Sequence, residues 1–337
     1  MAAPVEKTPP GVEQKCCSCS EVKFRRRILV TGGAGFIASH VVAMLVERHQ
    51  DYFVVNLDKL DYCASLKNLE SVENRPNYKF IQGDICDQDF IRYIFQNERI
   101  DTVLHFAAQS HVDTSFTSSL EFTRVNVYGT HVLVNTAYES GVKRFVHVST
   151  DEVYGGKSTS FPVIITRGNN TYGPHQFPEK VIPKFVSLLQ RDRKCCVYGN
   201  SQPLRNYLYV TDAAEAFLTI LEKGQDGEIY NIGTDFAISN LELARLLIRK
   251  LKHVTTEEEV QQWIEHTPDR PFHDQQYRVD STKLKQLGWE PKVSWEDGLE
   301  RTIAWYSKHF HNWTTAEQAL QPFSNGTSRE NNASTRQ

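Results

Sequence analysis

Two short stretches of the sequence hold residue types that could do chemistry. Thr150-Asp151-Glu152 sets a hydroxyl and two adjacent carboxylates just past an apolar run, residues 144–149. Two carboxylates in one site can be pushed to different pKa values, one kept protonated and the other ionised. That division suits elimination of water, which needs an acid for the leaving hydroxyl and a base for the neighbouring C–H. An isolated Asp-Glu pair is more often a helix cap or a solvated pair, so the surroundings decide. The second stretch is Thr31-Gly32-Gly33-Ala34-Gly35-Phe36-Ile37-Ala38, between an apolar run at 27–31 and a helical period at 38–48. Glycines allow a sharp turn and let a pyrophosphate approach the backbone. The helix N-terminus then offers N–H groups and a partial positive charge. Ala38 is small enough for close helix–strand packing. Asp58 ends the next strand, 23 residues after Gly35. The acidic residue that binds the ribose hydroxyls of a dinucleotide is expected roughly 20 residues on. A carboxylate there repels a 2′-phosphate, so the spacing points to NAD rather than NADP. Asp84 and Ile85 close a third strand, where an adenine ring would lie.

These residues need a scaffold that brings strand ends together. Apolar runs at 27–31, 53–57, 78–82, 102–106, 144–149 and 162–166 read as strands. Helical periods at 38–48, 87–97 and 120–140 separate several of them. Short apolar strands alternating with helices predict an α/β fold, a Rossmann-type doubly wound parallel sheet. Ligands of such sheets bind at the carboxyl ends of the strands, where Thr150-Asp151-Glu152 falls. After residue 172 the order loosens. Helices at 179–191, 211–223 and 241–252, with short strands such as 196–198, predict a smaller, mainly helical substrate-binding lobe that shares some chain with the sheet. The expected division is a disordered tail 1–23, an NAD-binding domain 24–172, a lobe 173–323 and a second disordered tail 324–337.

Composition narrows the function class. A formal net charge of −3 without a long basic run argues against a nucleic-acid partner. No apolar stretch approaches the roughly 18 residues that would span a membrane. The first 23 residues lack the apolar core of a secretory signal. Of the seven cysteines, Cys16, Cys17 and Cys19 cluster, Cys195 and Cys196 are adjacent, and Cys63 and Cys86 stand alone. They lack the spaced pairs of a zinc site, so no metal is expected and free thiols in a cytoplasmic protein are.

Further motifs extend the pattern: Asp58-Lys59-Leu60-Asp61-Tyr62, the run from His105 to Asp113, Thr150 to Gly155, and Tyr172 to Lys180. Arg205-Asn206-Tyr207-Leu208-Tyr209-Val210, Tyr230-Asn231-Ile232-Gly233 and Asp269-Arg270-Pro271 follow. On these motifs residues 27–323 resemble the extended short-chain dehydrogenase/reductases, and among them the dTDP-glucose 4,6-dehydratase family. The resemblance implies a lyase that makes a 4-keto-6-deoxy sugar from a dTDP-hexose, with NAD reduced only transiently. Hydride would leave C4 for NAD+ and return to C6. Asp151 would protonate the leaving C6 hydroxyl, Glu152 would take the C5 proton, and Thr150 would hydrogen-bond the C4 hydroxyl. Gly32, Gly35, Phe36, Ile37, Asp58, Asp84, Ile85, Ala107 and Ala108 would line the cofactor. Ser110, Asn170, Lys180, Arg205, Asn231, Arg270 and His273 would hold the nucleotide-diphosphate sugar, arginine and lysine by charge and arginine also by its forked donors. The family implies a homodimer.

One feature of that family is missing. It uses a Tyr-x-x-x-Lys helix, in which Tyr is the base toward the C4 hydroxyl and Lys lowers its pKa. No Tyr in this sequence has Lys four positions later. The runs 144–149 and 162–166 read as parallel neighbours, yet only residues 150–161 join them. A parallel crossover usually needs a dozen or more residues, commonly with a helix, and half of these twelve are the acidic motif itself. Twelve extended residues reach roughly 40 Å, so the return is possible without a covering helix. The sequence therefore predicts an internal deletion near 156–160, apolar sheet surface left open, and a weakened dimer. Gly168, Thr171 and Phe272 are lesser departures from the family pattern. Three readings stand. One is an active lyase. Another is an impaired chain that only binds NAD or a nucleotide sugar. The last is a nucleotide-sugar epimerase or decarboxylase, which has no need of the Asp-Glu pair. The absent Tyr and Lys separate the first two and weigh against ordinary turnover.

Overall fold

The β-branched and aliphatic runs pair into one sheet because most of them are apolar on both faces and have to be covered from both sides. The structure, a computed structural model, describes residues 23–110, 118–150, 161–199, 203–267 and 279–321. The first half runs β1 (Arg26–Thr31), α1 (Phe36–Arg48), β2 (Tyr52–Asp58), β3 (Tyr78–Gln82), α2 (Gln88–Glu98) and β4 (Thr102–His105). It continues with α3 (Ser119–Thr123), a π-helical turn (Arg124–Gly129), α4 (Thr130–Glu139), β5 (Arg144–Thr150) and β6 (Val163–Gly168). The second half begins β7 (Asn170–Tyr172), α5 (Val181–Leu189), β8 (Cys195–Tyr198), β9 (Leu204–Tyr209), α6 (Val210–Lys223) and β10 (Ile229–Ile232). It ends with β11 (Ala237–Ser239), α7 (Asn240–Lys252), α8 (Glu257–Gln262), β12 (Ile264–Thr267), α9 (Thr282–Lys285), α10 (Trp295–His309) and α11 (Ala316–Ala319).

Seven strands form the main sheet in the order β10-β6-β5-β4-β1-β2-β3, and every neighbouring pair is parallel. The reversal of strand order beside β1 makes this a doubly wound Rossmann sheet. Val41, Val42, Leu45 and Val46 of α1 pack against one face together with Ala213, Ala214 and Phe217 of α6. Small residues on α6 let the two helices lie close. Ile91, Ile94 and Phe95 of α2 with Val132, Leu133 and Ala137 of α4 cover the other face. The lobe has its own core of Tyr172, Phe185, Leu247, Leu299 and Tyr306. A capping box between Ser239 and Glu242 starts α7, satisfying two of its free N–H groups. The second half of the chain also returns to the sheet layer, supplying α6 and β10.

The helix expected at 120–140 runs without a break from 119 to 139 and carries a π-helical turn between α3 and α4. Asn126, a poor helix former, lies within that turn and bonds the loop after β4. Gly129 closes it against Ile85, where an added Cβ would come within 2.7 Å of the Ile85 side chain.

Strands β5 and β6 pair from Phe145↔Val163 to Thr150↔Gly168, with 151–160 outside the described residues. On the face shared with α2 and α4, His147, Ser149, Val163, Ile165 and Ile229 are half-exposed, although Phe145 is buried. On the opposite face Val146, Ile164, Thr166, Tyr230 and Ile232 are buried. Beside the thinly covered strip, Leu120, Val127, Tyr128 and Tyr138 of the helical segment are exposed. Among the described residues, no helix is long and apolar enough to cross a membrane, and Cys63, Cys86, Cys195 and Cys196 are free thiols.

Candidate active site

Parallel pairing brings Thr31, Asp58, His105 and the backbone of Thr150 to one edge of the sheet. The turn after β1 is built for close approach. Gly32 has φ +72°, and a Cβ on it would lie 2.9 Å from the Ala107 backbone. A Cβ on Gly33 would lie 2.1 Å from Asn56 Oδ1. Gly35 is the N-cap of α1 and offers no side-chain cap, and no acidic residue occupies the first turn. The N–H groups of that turn thus face the strand ends without a carboxylate of their own.

Asp58 is 7% exposed. One oxygen accepts the Ala34 N–H at 3.0 Å and the other the Leu60 N–H at 2.8 Å. Burial pushes its carboxyl above the usual range, opposed by those two N–H groups. Asp58 therefore ties the glycine turn to β2 while facing the same edge. Asp84 accepts the Cys86 N–H at 2.9 Å and Arg124 at 3.3 Å. Burial would raise its pKa, but the Cys86 and Arg124 contacts hold it below the usual range. Ile85 is buried under Gly129, so its side chain belongs to the core and its backbone borders the edge. Phe36, Ile37 and Ala107 are half-buried, and Ala108 is exposed.

The loop after β4 is braced from several sides. Ala107 N–H donates to Thr31 Oγ1 at 3.2 Å, and Thr31 Oγ1 lies 2.7 Å from His105 Nδ1. The far nitrogen of His105 meets Thr130 Oγ1 at 2.9 Å. Burial, with His147 adding to it, pushes His105 down to about 3. Its imidazole is therefore a neutral brace. Gln109 exchanges backbone bonds with the Asn126 amide, 2.8 and 2.9 Å, and reaches Asp61 at 2.7 Å. Gln109 and Asp61 fall in motifs the sequence offered, whereas Asn126 and Asn56 escaped the sequence reading. An Asn inside a helical period is the signal that could have found Asn126.

From the lobe, Lys180 Nζ donates to Ser110 O at 3.0 Å, which brings two expected substrate residues together. Beside it Tyr62 OH donates to Glu179 at 3.1 Å. Asn170 is exposed at the start of β7, which pairs with β9. Arg205 lies on β9 opposite Ile238. Asn231, on β10, donates to Asp280 O at 2.9 Å. Asp151, Glu152, Arg270 and His273 lie outside the described residues, and of Thr150 only the backbone is described.

The profile of the GDP-mannose 4,6 dehydratase family matches residues 29–160 and 156–302. The dTDP-D-glucose 4,6-dehydratase of Mus musculus is 56% identical over 333 residues, covering 89% of this chain and 94% of that protein. The human protein of the same name is 53% identical, covering 89% and 95%. Among solved structures, the dTDP-glucose 4,6-dehydratase of Streptomyces venezuelae with NAD bound superposes with a TM-score of 0.79 at 34% identity. It covers 86% of this chain and 99% of that one.

Proposed function

The chain belongs to the nucleotide-sugar 4,6-dehydratase family, and from that premise we propose that it is a dTDP-glucose 4,6-dehydratase-type lyase with curtailed turnover. The observation that carries the reading is the sheet edge that holds the glycine turn, Asp58 and the end of β5, with Lys180 of the lobe bonded to Ser110 O in the loop that follows β4. The site fits NAD: Gly32 and Gly33 let the turn pack tightly on Ala107 and Asn56, and α1 opens at Gly35 without a side-chain cap or an acidic residue, which leaves its first N–H groups for a pyrophosphate. Gly32, Gly35, Phe36, Ile37, Asp58, Asp84, Ile85, Ala107 and Ala108 would hold it. When bound, NAD supplies the hydride acceptor and donor that activate the sugar.

The protein residues then handle protons. Glu152 removes the proton at C5, made acidic by a neighbouring carbonyl, and Asp151 delivers one to the leaving hydroxyl. Thr150, at the end of β5, holds the C4 oxygen in register with both. Ser110, Asn170, Lys180, Arg205, Asn231, Arg270 and His273 fix the nucleotide diphosphate and sugar against the edge. No Tyr-x-x-x-Lys is present to accept the C4 hydroxyl proton. The two family matches meet at 156–160, which supports a deletion at that place. Loss of a positioned general base lowers rate by roughly 10²–10⁴-fold. The thinly covered strip beside it supports a weakened homodimer.

The test is to incubate the purified chain and the mouse relative separately with dTDP-glucose and NAD+, and to follow the 4-keto-6-deoxy product by mass spectrometry. Binding of both ligands is expected, with turnover at least about 10²-fold below the relative. Equal turnover would overturn the curtailment, and absence of binding would overturn the family-derived site. Glu152→Gln should abolish whatever activity remains.

A further inference from the structure

A ladder of five aromatic rings crosses from the glycine-turn helix to the lobe. Phe36, the first residue of α1, meets His40 edge-on at 6.4 Å. His40 stacks on His175 at 4.4 Å and 20°. His175 tilts against Trp305 of α10 at 5.5 Å, and Trp305 stacks on the exposed His309 at 4.7 Å.

The middle of the ladder is hydrogen-bonded as well as stacked. His40 Nε2 lies 3.1 Å from Pro174 O, so this nitrogen is the donor and the His40 tautomer is assigned. Ser39 Oγ directs its one proton to Phe36 O at 2.9 Å. At 3.1 Å it therefore accepts from His175 Nδ1–H. His175 holds a left-handed backbone, φ +70°, a conformation rare outside glycine that persists where the surroundings fix it. Burial lowers the pKa of both histidines. The titratable groups acting on His175 are His40 and His309, both imidazoles. The stack is thus neutral at ordinary pH, without charge repulsion between its rings.

Its position gives the joint a role. His40 follows Phe36 by one helical turn, at the end of α1 that faces the proposed NAD site. His175 precedes Lys180 by five residues, and Lys180 bonds Ser110 O. We propose that His40 and His175 are positioning residues through which occupation of the dinucleotide site and of the nucleotide-diphosphate site strengthen one another. The inference rests on the ligand assignment above and adds a coupling between the two sites, which by linkage is reciprocal.

Calorimetric titration of the full chain tests it, with dTDP alone and with dTDP after saturation by NAD+, and then in the reverse order. In the unaltered chain each ligand is expected to tighten the other by about fivefold or more. His175→Ala should leave the affinity for NAD+ alone within about threefold while the mutual tightening falls to near one. His175→Phe, which restores a ring, should recover at least half of it on a logarithmic scale. Should His175→Ala fail to fold, His40→Gln carries the test. It keeps a donor for Pro174 O but removes the ring, and the tightening should fall in the same way. Full tightening in a folded ring-less variant overturns the joint, as does its absence in the unaltered chain when both ligands bind. An unaltered chain that binds neither ligand overturns the ligand assignment, and the joint with it.

Discussion

At the residue scale, the glycine turn shows how a pattern read from sequence acquires its physical cause. Gly32 faces the Ala107 backbone and Gly33 faces the Asn56 amide. The first neighbour cannot give way cheaply, because it is main chain held by the Thr31 hydroxyl. Gly32→Ala adds a Cβ at a positive φ as well. We expect a stability loss of about 1–3 kcal/mol and an NAD+ affinity at least about tenfold weaker, read by urea melts and calorimetry. Unchanged NAD+ affinity would contradict the placement of the dinucleotide against this turn. The motif itself was legible in the sequence, since turn, helix and Asp58 fall at standard spacings. Asn56 was not, because its partner is a glycine on a neighbouring strand end and nothing local marks it.

At the element scale, the helical segment from Ser119 to Glu139 and the strands β5, β6 and β10 belong together. Leu120 is 85% exposed and Val127 64% exposed on the helical segment. The adjoining strand residues are only half covered. Each Å² of apolar surface left in water forgoes about 25 cal/mol, so this flank is a weak place and an adhesive one. Leu120→Ser with Val127→Ser should change the stability of the monomer by no more than about 0.5 kcal/mol, as at other solvated positions. The same variant should reduce ANS fluorescence. Size-exclusion with light scattering should report a concentration-dependent monomer–dimer mixture for the unaltered chain. A tight dimer that the double substitution dissolves would mean this face is already an interface. The strands and the short crossover were readable from apolar runs and from counting residues. The π-helical turn was not, because its cause is the fit of Asn126 to the Gln109 backbone and of Gly129 to Ile85.

At the scale of the whole molecule, the two halves are held by contacts that no single segment announces. The loop after β2 docks on the C-terminal stretch: Ser65 donates to Asn312 O, Trp313 to Cys63 O, and Thr315 to Tyr62 O. Four histidines line the sheet and the joint, His105 buried and His40, His147 and His175 partly exposed. Burial lowers His40 and His147 and takes His105 and His175 down to about 3. The unfolded chain titrates them near 6.5, so below that pH it binds more protons than the fold does. Stability is then full above about pH 6.5 and falls as the pH drops through that value. The slope is about 1.4 kcal/mol per pH unit for each histidine that stays neutral. Urea midpoints between pH 7 and 5.5 should decrease steadily, and a flat profile would show that these rings are solvated. The sequence by itself determined the alternation of strands and helices, the glycine turn with its carboxylate, the Asp-Glu pair and the missing Tyr-x-x-x-Lys, because each is a local pattern of residue type and spacing. Only the tertiary structure decided which strand ends meet, that Lys180 reaches Ser110, and that His40 lies on His175. Those partners are separated by 70 and 135 residues, and the energy that joins them comes from packing and hydrogen bonds that exist only once the sheet and lobe have assembled.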